Sequence, residues 1–473
     1  MSITISYRKE AIREIYFNNK NGIAMRLIGW TFLGTLLSLI ASCQRNLLEN
    51  RVIAKNETVN RSISNMQMVT VPEGYMLAWQ DEFDSLGLNS ERWKYRIGVS
   101  QDSYQRSENV TFDTAGPGSV HINLKKEVYG GKNYTGGGII TKIPDSYGYY
   151  EVKARVDGGY GWHEAFWAAG ISGFDDPDPL FNDSTGQLEI DCFEHYAGYH
   201  AQQFTYGAIE WAPYRGAINR DYKTTTENLA DSYNIYGFEY TPEYLNYYFN
   251  GTLLKTVDLR ESPRHDLYLW LSCIATEPDA DSSGTVRFDY IKAYTISSSA
   301  YAVRRVPFIS YLDSIRGPQH SNGTDLWIQA EDFTYKNNWT AERDIASTII
   351  LRGFSAYNSG RDSTQLIANT HIPVTMPGTY HLWVRSKDFL SQPGIRKFMV
   401  KINGITSSTV FGTHGQDGYG WQYGGSFNMV NGLNLLELYD AYQYFARCDK
   451  MLLTTDSLFV PSRVGAPSNV THQ

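Results

Sequence analysis

The chain is poor in cysteine, in charge and in long apolar runs, and each shortage removes a class of protein. Four cysteines in 473 residues, Cys43, Cys192, Cys273 and Cys448, are too few and too scattered for a disulfide framework or a zinc cluster. The last three are expected as free buried thiols, with a Cys192–Cys273 bridge as the alternative. Charged residues are 19% of the chain and the formal net charge is -8, which gives no electrostatic reason to expect nucleic-acid binding. No stretch of the body keeps a helical period over any length. There is no G-x-G-x-x-G unit, no phosphate-binding loop and no H-E-x-x-H pair.

Aromatic residues, by contrast, are 14% of the chain, with 35 Tyr and 11 Trp. Such rings suit β-sheets and also stack on the apolar faces of sugar rings. Hydrophobic residues at 42% mark a globular chain, long enough for two or three domains. Strand patterns recur from Tyr75 onwards, at 119–125, 138–142, 149–156, 164–169, 188–194, 203–211, 232–240, 245–249, 267–274 and 286–295. Asn250-Gly251 between two such runs signals a two-residue hairpin turn. The expected fold is all-β: an antiparallel sandwich over 72–297, a linker over 298–323 opened by a serine-rich patch, and a smaller β-sandwich over 324–458 with a tail at 459–473.

One stretch stands out, Glu189-Ile190-Asp191-Cys192-Phe193-Glu194. Alternation puts Glu189 and Asp191 on one face of a strand and Leu188 and Ile190 on the other. Glu194 is out of phase, and a regular strand would bury its carboxylate in the core. One extra residue at Cys192-Phe193, a β-bulge, turns Phe193 inward and brings Glu194 into line with the other two acids.

Paired carboxylates facing each other across a glycosidic bond can divide the work of cleaving it, one attacking the anomeric carbon and the other protonating the leaving oxygen. Ionising Glu189 makes ionising Glu194 harder and favours its acid form, while Asp191 tunes the coupling. A separation of about 5 Å between the outer pair leads to retention of configuration through a covalent intermediate.

The surroundings of this strand resemble glycoside hydrolase family 16 over about residues 75–296. Ala78-Trp79-Gln80-Asp81-Glu82-Phe83-Asp84 is similar to that family's opening strand. Arg106-Ser107-Glu108-Asn109-Val110, Gly148 to Arg155, Gly161-Trp162-His163-Glu164-Ala165-Phe166-Trp167, Tyr236 to Pro242 and Phe288 to Tyr294 match later segments. The resemblance implies a concave-cleft β-jelly-roll that cleaves β-glycosidic bonds inside polysaccharides, with Glu189 as nucleophile, Asp191 as assisting acid and Glu194 as acid/base. It places Asn109, Trp162, His163, Trp167 and Trp211 among substrate-binding candidates, with a core role as the alternative for Trp162 and Trp167. His163-Glu164 and Ile209-Glu210-Trp211 depart from the family's glucanase wording, which weakens a simple β-1,3-glucanase assignment. The resemblance also implies a structural calcium at Glu82, the Gly118 carbonyl and Asp289, exposed acids on strand ends being the alternative. No cofactor is needed for catalysis.

The block opening Ile328-Gln329-Ala330-Glu331-Asp332-Phe333 resembles a family 6 carbohydrate-binding module, with Trp421 and Tyr423 as candidate sugar platforms in a glycine-rich loop. At the other end, Met25 to Ser42 reads as a signal segment, Met25 being the better start, and Ile40-Ala41-Ser42-Cys43 resembles a lipobox. The expectation is a monomeric lipoprotein of the bacterial envelope, lipidated at Cys43 and tethered by 43–71, acting on a polysaccharide. The alternatives are a transglycosylase with the same acids and a non-catalytic glycan-binding lipoprotein.

Overall fold

A computed structural model describes residues 71–113, 118–170, 187–196, 198, 200–212, 214–316, 321–337, 339–344, 348–353, 367–440, 445–462, 464–465 and 469–471. The signal segment, Cys43 and nearly all of the tether lie outside these residues.

Two antiparallel sheets face each other across a core of Val, Ile, Leu, Phe and Tyr. One runs in the order Gly216–Thr224, Gln203–Ala212, Gln187–Tyr196, Trp162–Ala169, Tyr268–Ala275, Tyr134–Thr141 and Trp93–Tyr95. The other centres on Gly148–Arg155, flanked by Asn234–Tyr240 and by the long strand Ser283–Ile296. The opening strand Tyr75–Asp81 and the strand Ser119–Lys125 share the far edge of that long strand. A pairing at Lys125 and Thr135 and a short parallel pair between Ser103–Gln105 and Tyr134–Thr141 join the sheets at one side. Asn250 and Gly251 both adopt positive φ, 48° and 76°, as the mirror-image hairpin turn between Tyr244–Phe249 and Thr252–Asp258 requires.

The stretch expected as a linker instead contains a helix, Ser298–Arg316. Phe308 and Leu312 bury fully against Tyr244, which stabilises the docked helix by about 2 kcal/mol per side chain. Beside them Arg304 forms a bidentate pair with the fully buried Glu239, both contacts at 2.7 Å. Arg260 reaches Asp313 at 2.6 Å. The helix is therefore docked on the first sandwich.

The C-terminal block is a second β-sandwich. One sheet orders Trp339–Asp344, Thr348–Gly353, Arg447–Thr454, Gly378–Asp388 and Gly418–Met429, and the other packs Ile367–Val374, Gly432–Asp440 and Phe398–Ile402. The glycine-rich segment read as a loop is the strand Gly418–Met429, paired throughout with Gly378–Asp388. Trp421 consequently packs edge-on against Trp327, ring centroids 5.8 Å apart. Tyr423, 42% exposed, is held by His381 at 2.8 Å.

Candidate active site

The acid strand spans Gln187–Tyr196, between Trp162–Ala169 and Gln203–Ala212. Its register against Trp162–Ala169 runs Asp191 to Trp167 and then Phe193 to Phe166, so Cys192 is the extra residue. Against Gln203–Ala212 the same irregularity falls between Asp191 and Glu194. Phe193 is fully buried, its ring centroid 4.1 Å from that of Tyr236. The bulge therefore does what the phase of the sequence demanded: Leu188, Ile190 and Phe193 enter the core, and Glu194 joins Glu189 and Asp191 on the outer face.

Each acid has a distinct environment. Glu189 Oε2 accepts a hydrogen bond from Trp211 Nε1 at 3.0 Å. Burial pushes its carboxyl up to about 7, with the Trp211 N–H pulling down, Glu194 pushing up and Arg96 pulling down. Asp191 is 6% exposed, and burial together with Glu194 and Glu189 holds it well above the usual range, which favours its neutral form. Glu194 Oε1 lies 3.0 Å from His163 Nε2 and 3.4 Å from the Tyr196 hydroxyl. Its Oε2 accepts from Thr205 Oγ1 at 3.2 Å. Burial alone would raise Glu194, but His163, Thr205 and Arg220 outweigh it and leave the carboxyl below its ordinary value.

This last result reverses the expected distribution of the proton. Coupling between like charges does operate, but His163, tilted against Tyr196 with ring centroids 4.5 Å apart, favours the carboxylate of Glu194. Behind the sheet, His195 Nδ1 and Glu164 Oε2 form a fully buried pair at 2.8 Å. Glu164 Oε1 also accepts the Asp157 amide at 2.7 Å. The two strands are thus pinned on both faces, by His163 to Glu194 in front and Glu164 to His195 behind.

Alternation settles the other candidates. His163, Ala165 and Trp167 lie on the outer face, whereas Trp162, Glu164 and Phe166 point inward. Trp162 is 0% exposed and packs edge-on with Tyr134 at 5.6 Å, so it is a core residue and not a sugar platform. Trp167 is on the correct face but buried, stacked on Trp270 at 4.3 Å with its Nε1 on Ser272 Oγ at 3.1 Å. Asn109 is also fully buried, its amide donating to Thr135 Oγ1 at 2.8 Å, which leaves it no part in binding substrate. His163 and Trp211 are in the site, and both engage the acids directly.

Several residues in the site carry no sequence signal. Arg96, 7% exposed, lies beneath the Trp167 and Trp270 rings, 5.9 and 5.5 Å from their centroids, and its charge reaches Glu189. Arg220 stands in the row Trp167, Asp191, Gly207, Arg220, where glycine interposes no side chain between the cation and Asp191.

The calcium assignment does not fit. Glu82 pairs with Lys292 at 2.9 Å and Asp289 with Lys153 at 2.7 Å, so each carboxylate already has a cation. Gly118 packs against the Phe83–Asp84 backbone. Among the described residues no three His, Cys, Asp or Glu side chains cluster as metal ligands. Cys192, Cys273 and Cys448 are free and buried.

A β-glucanase of Rhodothermus marinus is 26% identical over 190 residues, covering 37% of this chain and 63% of its own. The clotting factor G alpha subunit of Tachypleus tridentatus is 28% identical over 186 residues, covering 37% of this chain and 26% of its own. The chain thus spans less than two thirds of either relative. Among solved structures, the catalytic domain of a Thermotoga petrophila laminarinase aligns at 20% identity and a TM-score of 0.42, over 48% of this chain and all of that one. Residues 97–292, which contain the whole carboxylate strand, match the sequence model of Glycosyl hydrolases family 16.

Proposed function

We propose that the chain is an endo-acting β-glycoside hydrolase that cleaves a polysaccharide with retention of configuration. The observation that carries this reading is the bulge at Cys192, which sets Glu189, Asp191 and Glu194 on one face within electrostatic reach of each other.

In the first step the Glu189 carboxylate attacks the anomeric carbon while Glu194 delivers a proton to the departing glycosidic oxygen, leaving a glycosyl ester on Glu189. In the second, Glu194 takes a proton from water, whose oxygen attacks the same carbon and releases Glu189. Trp211 holds the nucleophile, and Asp191, whose neutral form burial favours, has one O–H to offer a neighbouring carboxylate. His163 and Glu194 lie within hydrogen-bond distance, so a proton held between them is available to the leaving group. A substrate that displaces water from the face removes the solvent that stabilises the separated charges and moves that proton onto Glu194.

The substrate class is a β-linked glucan or galactan, since a β-glucanase is among the relatives and His163 stands where glucanases of the family carry another residue. Release of reducing ends from laminarin, mixed-linkage β-glucan and agarose, for the wild type beside Glu189→Gln, tests the proposal. Cleavage that the variant loses supports it. Binding without cleavage over the whole panel contradicts it and favours a glycan-binding protein. We further propose that the second sandwich aids retention on the polymer and that lipidation at Cys43 anchors the chain to a membrane, tested by radiolabelled palmitate incorporation in a bacterial host.

A further inference from the structure

Where the two sandwiches meet, one arginine of the second lies buried against the first. Arg343, on the strand Trp339–Asp344, has no exposed side-chain surface, and its partner Glu210 is 1% exposed. Arg343 Nε donates to Glu210 Oε2 and its Nη2 donates to the Glu261 carbonyl at 2.7 Å. Asp344, the next residue, faces the other way and takes Lys387 and Tyr419 within its own sandwich, so alternation leaves Arg343 for its neighbour. A second observation marks the same contact. A Cβ at Gly216 would sit 2.1 Å from the Arg343 carbonyl oxygen, so the edge strand Gly216–Thr224 approaches only because that residue lacks a side chain.

Glu210 does not belong comfortably where it is. It lies opposite Leu188, on the inward face of its strand, at the end of the sheet. Burial raises its carboxyl and Arg343 is the main influence holding it down. Its other oxygen accepts the Tyr214 amide at 3.2 Å, which ties down the turn leaving the strand. Trp211 is the next residue, directed to the outer face, and its Nε1 is the donor to Glu189.

We infer that Arg343 is a positioning residue for the site on the other sandwich: by neutralising Glu210 it fixes the end of the strand that presents Trp211 to Glu189. The second sandwich is then part of the catalytic unit and not only a glycan-binding appendage. Without Arg343, Glu210 is a buried carboxylate lacking its counter-charge, and the strand end must shift to reach water. The inference rests on the reading of Glu189 as nucleophile, so its test includes a readout independent of turnover.

The test compares full-length wild type, Arg343→Met, Arg343→Lys, Trp211→Phe and the Arg343→Met/Trp211→Phe double variant, with laminarin and mixed-linkage β-glucan as probes. Arg343→Met is expected to lower kcat by about tenfold to a hundredfold, with KM within about twofold, and to move the acidic limb of the pH profile upward as Trp211→Phe does. The double variant should be no worse than the poorer single one. Hydrogen exchange should accelerate across Gln203–Ala212 in Arg343→Lys, which keeps the charge and aids folding where Arg343→Met does not fold. A purely adhesive pair predicts unchanged kcat and pH profile, multiplicative effects in the double variant, and faster exchange confined to Trp339–Asp344 and Gly216–Thr224; any of these overturns the inference. If the wild type cleaves neither probe, the proposed activity fails on them and the exchange pattern alone decides whether Arg343 orders the Trp211 strand.

Discussion

Nε2 of His163 lies 3.0 Å from Oε1 of Glu194, on the outer face of adjacent strands. That contact lowers the affinity of Glu194, the proposed acid, for the proton it must later give away. Replacing His163 by Asn removes that influence, so the Glu194 carboxyl should rise. A general acid must be protonated to work, and the basic limb of kcat/KM should therefore move to higher pH. A pH–rate profile of the variant checks the direction.

The Trp211 N–H favours the ionised form of Glu189. Trp211→Phe keeps the ring and deletes the donor. A hydrogen bond to a charged group is worth about 1.5–3 kcal/mol, so kcat/KM should fall by roughly tenfold to a hundredfold, with the acidic limb displaced upward. Steady-state kinetics between pH 4 and pH 8 test both, taken here as about the range over which carboxylates of this kind titrate.

Burial of Glu189 has a cost in stability that depends on pH. Its native carboxyl titrates near 7, above its unfolded value, so the native state prefers the protonated form. That preference is fully present below the unfolded value and is lost as pH rises through the native one. Glu189→Gln should therefore melt above the wild type at pH 8 and close to it at about pH 4. Differential scanning calorimetry at the two pH values gives the comparison.

Glu239 behaves in the opposite sense. Burial raises its carboxyl, but the Arg304 fork, with Asn246 and Tyr248, brings it below the ordinary range. Its contribution to stability is present above the unfolded value, near 4.3, and is lost as pH falls through the still lower native one. Arg304→Met strands the carboxylate and should destabilise the first sandwich by about 3–5 kcal/mol. Chemical denaturation of the variant, together with proteolysis within 298–316, reads the effect.

Deleting Cys192 removes the extra residue, so the run Glu189-Ile190-Asp191-Phe193-Glu194 alternates regularly and keeps Phe193 inward and Glu194 on the outer face. The deletion should therefore leave measurable cleavage, because all three acids stay on one face, and Cys192→Ser, which keeps the bulge, should retain activity within about tenfold, its hydroxyl being a burial cost and not a change of register; reducing-end release from both variants checks this, and complete loss in the deletion would contradict it. Comparing the two separates register from side chain.

The bulge was legible because a carboxylate out of phase with its neighbours has few places to go. The same rule of two was available for Trp162 and Trp167, which lie five residues apart and so face opposite sides of their strand. Ring chemistry suggested platforms for both, and the phase of the strand shows that only Trp167 is on the outer face. The helix Ser298–Arg316 escaped because one of its inward positions is Arg304, paired with Glu239, which breaks the apolar period a reader looks for. The segment holding Trp421 and Tyr423 is a strand and not the expected loop, because glycines that suit a loop are also tolerated in a long paired strand. Arg343 and Glu210 are 133 residues apart, and nothing local to either names the other.

The most direct test of the central claim is the anomeric configuration of the first product, followed by proton nuclear magnetic resonance while the wild type digests a soluble β-glucan. The account predicts that the β-anomer appears first and that the α-anomer grows in only by mutarotation. Initial release of the α-anomer would contradict it, because inversion requires water, and not Glu189, to attack the anomeric carbon.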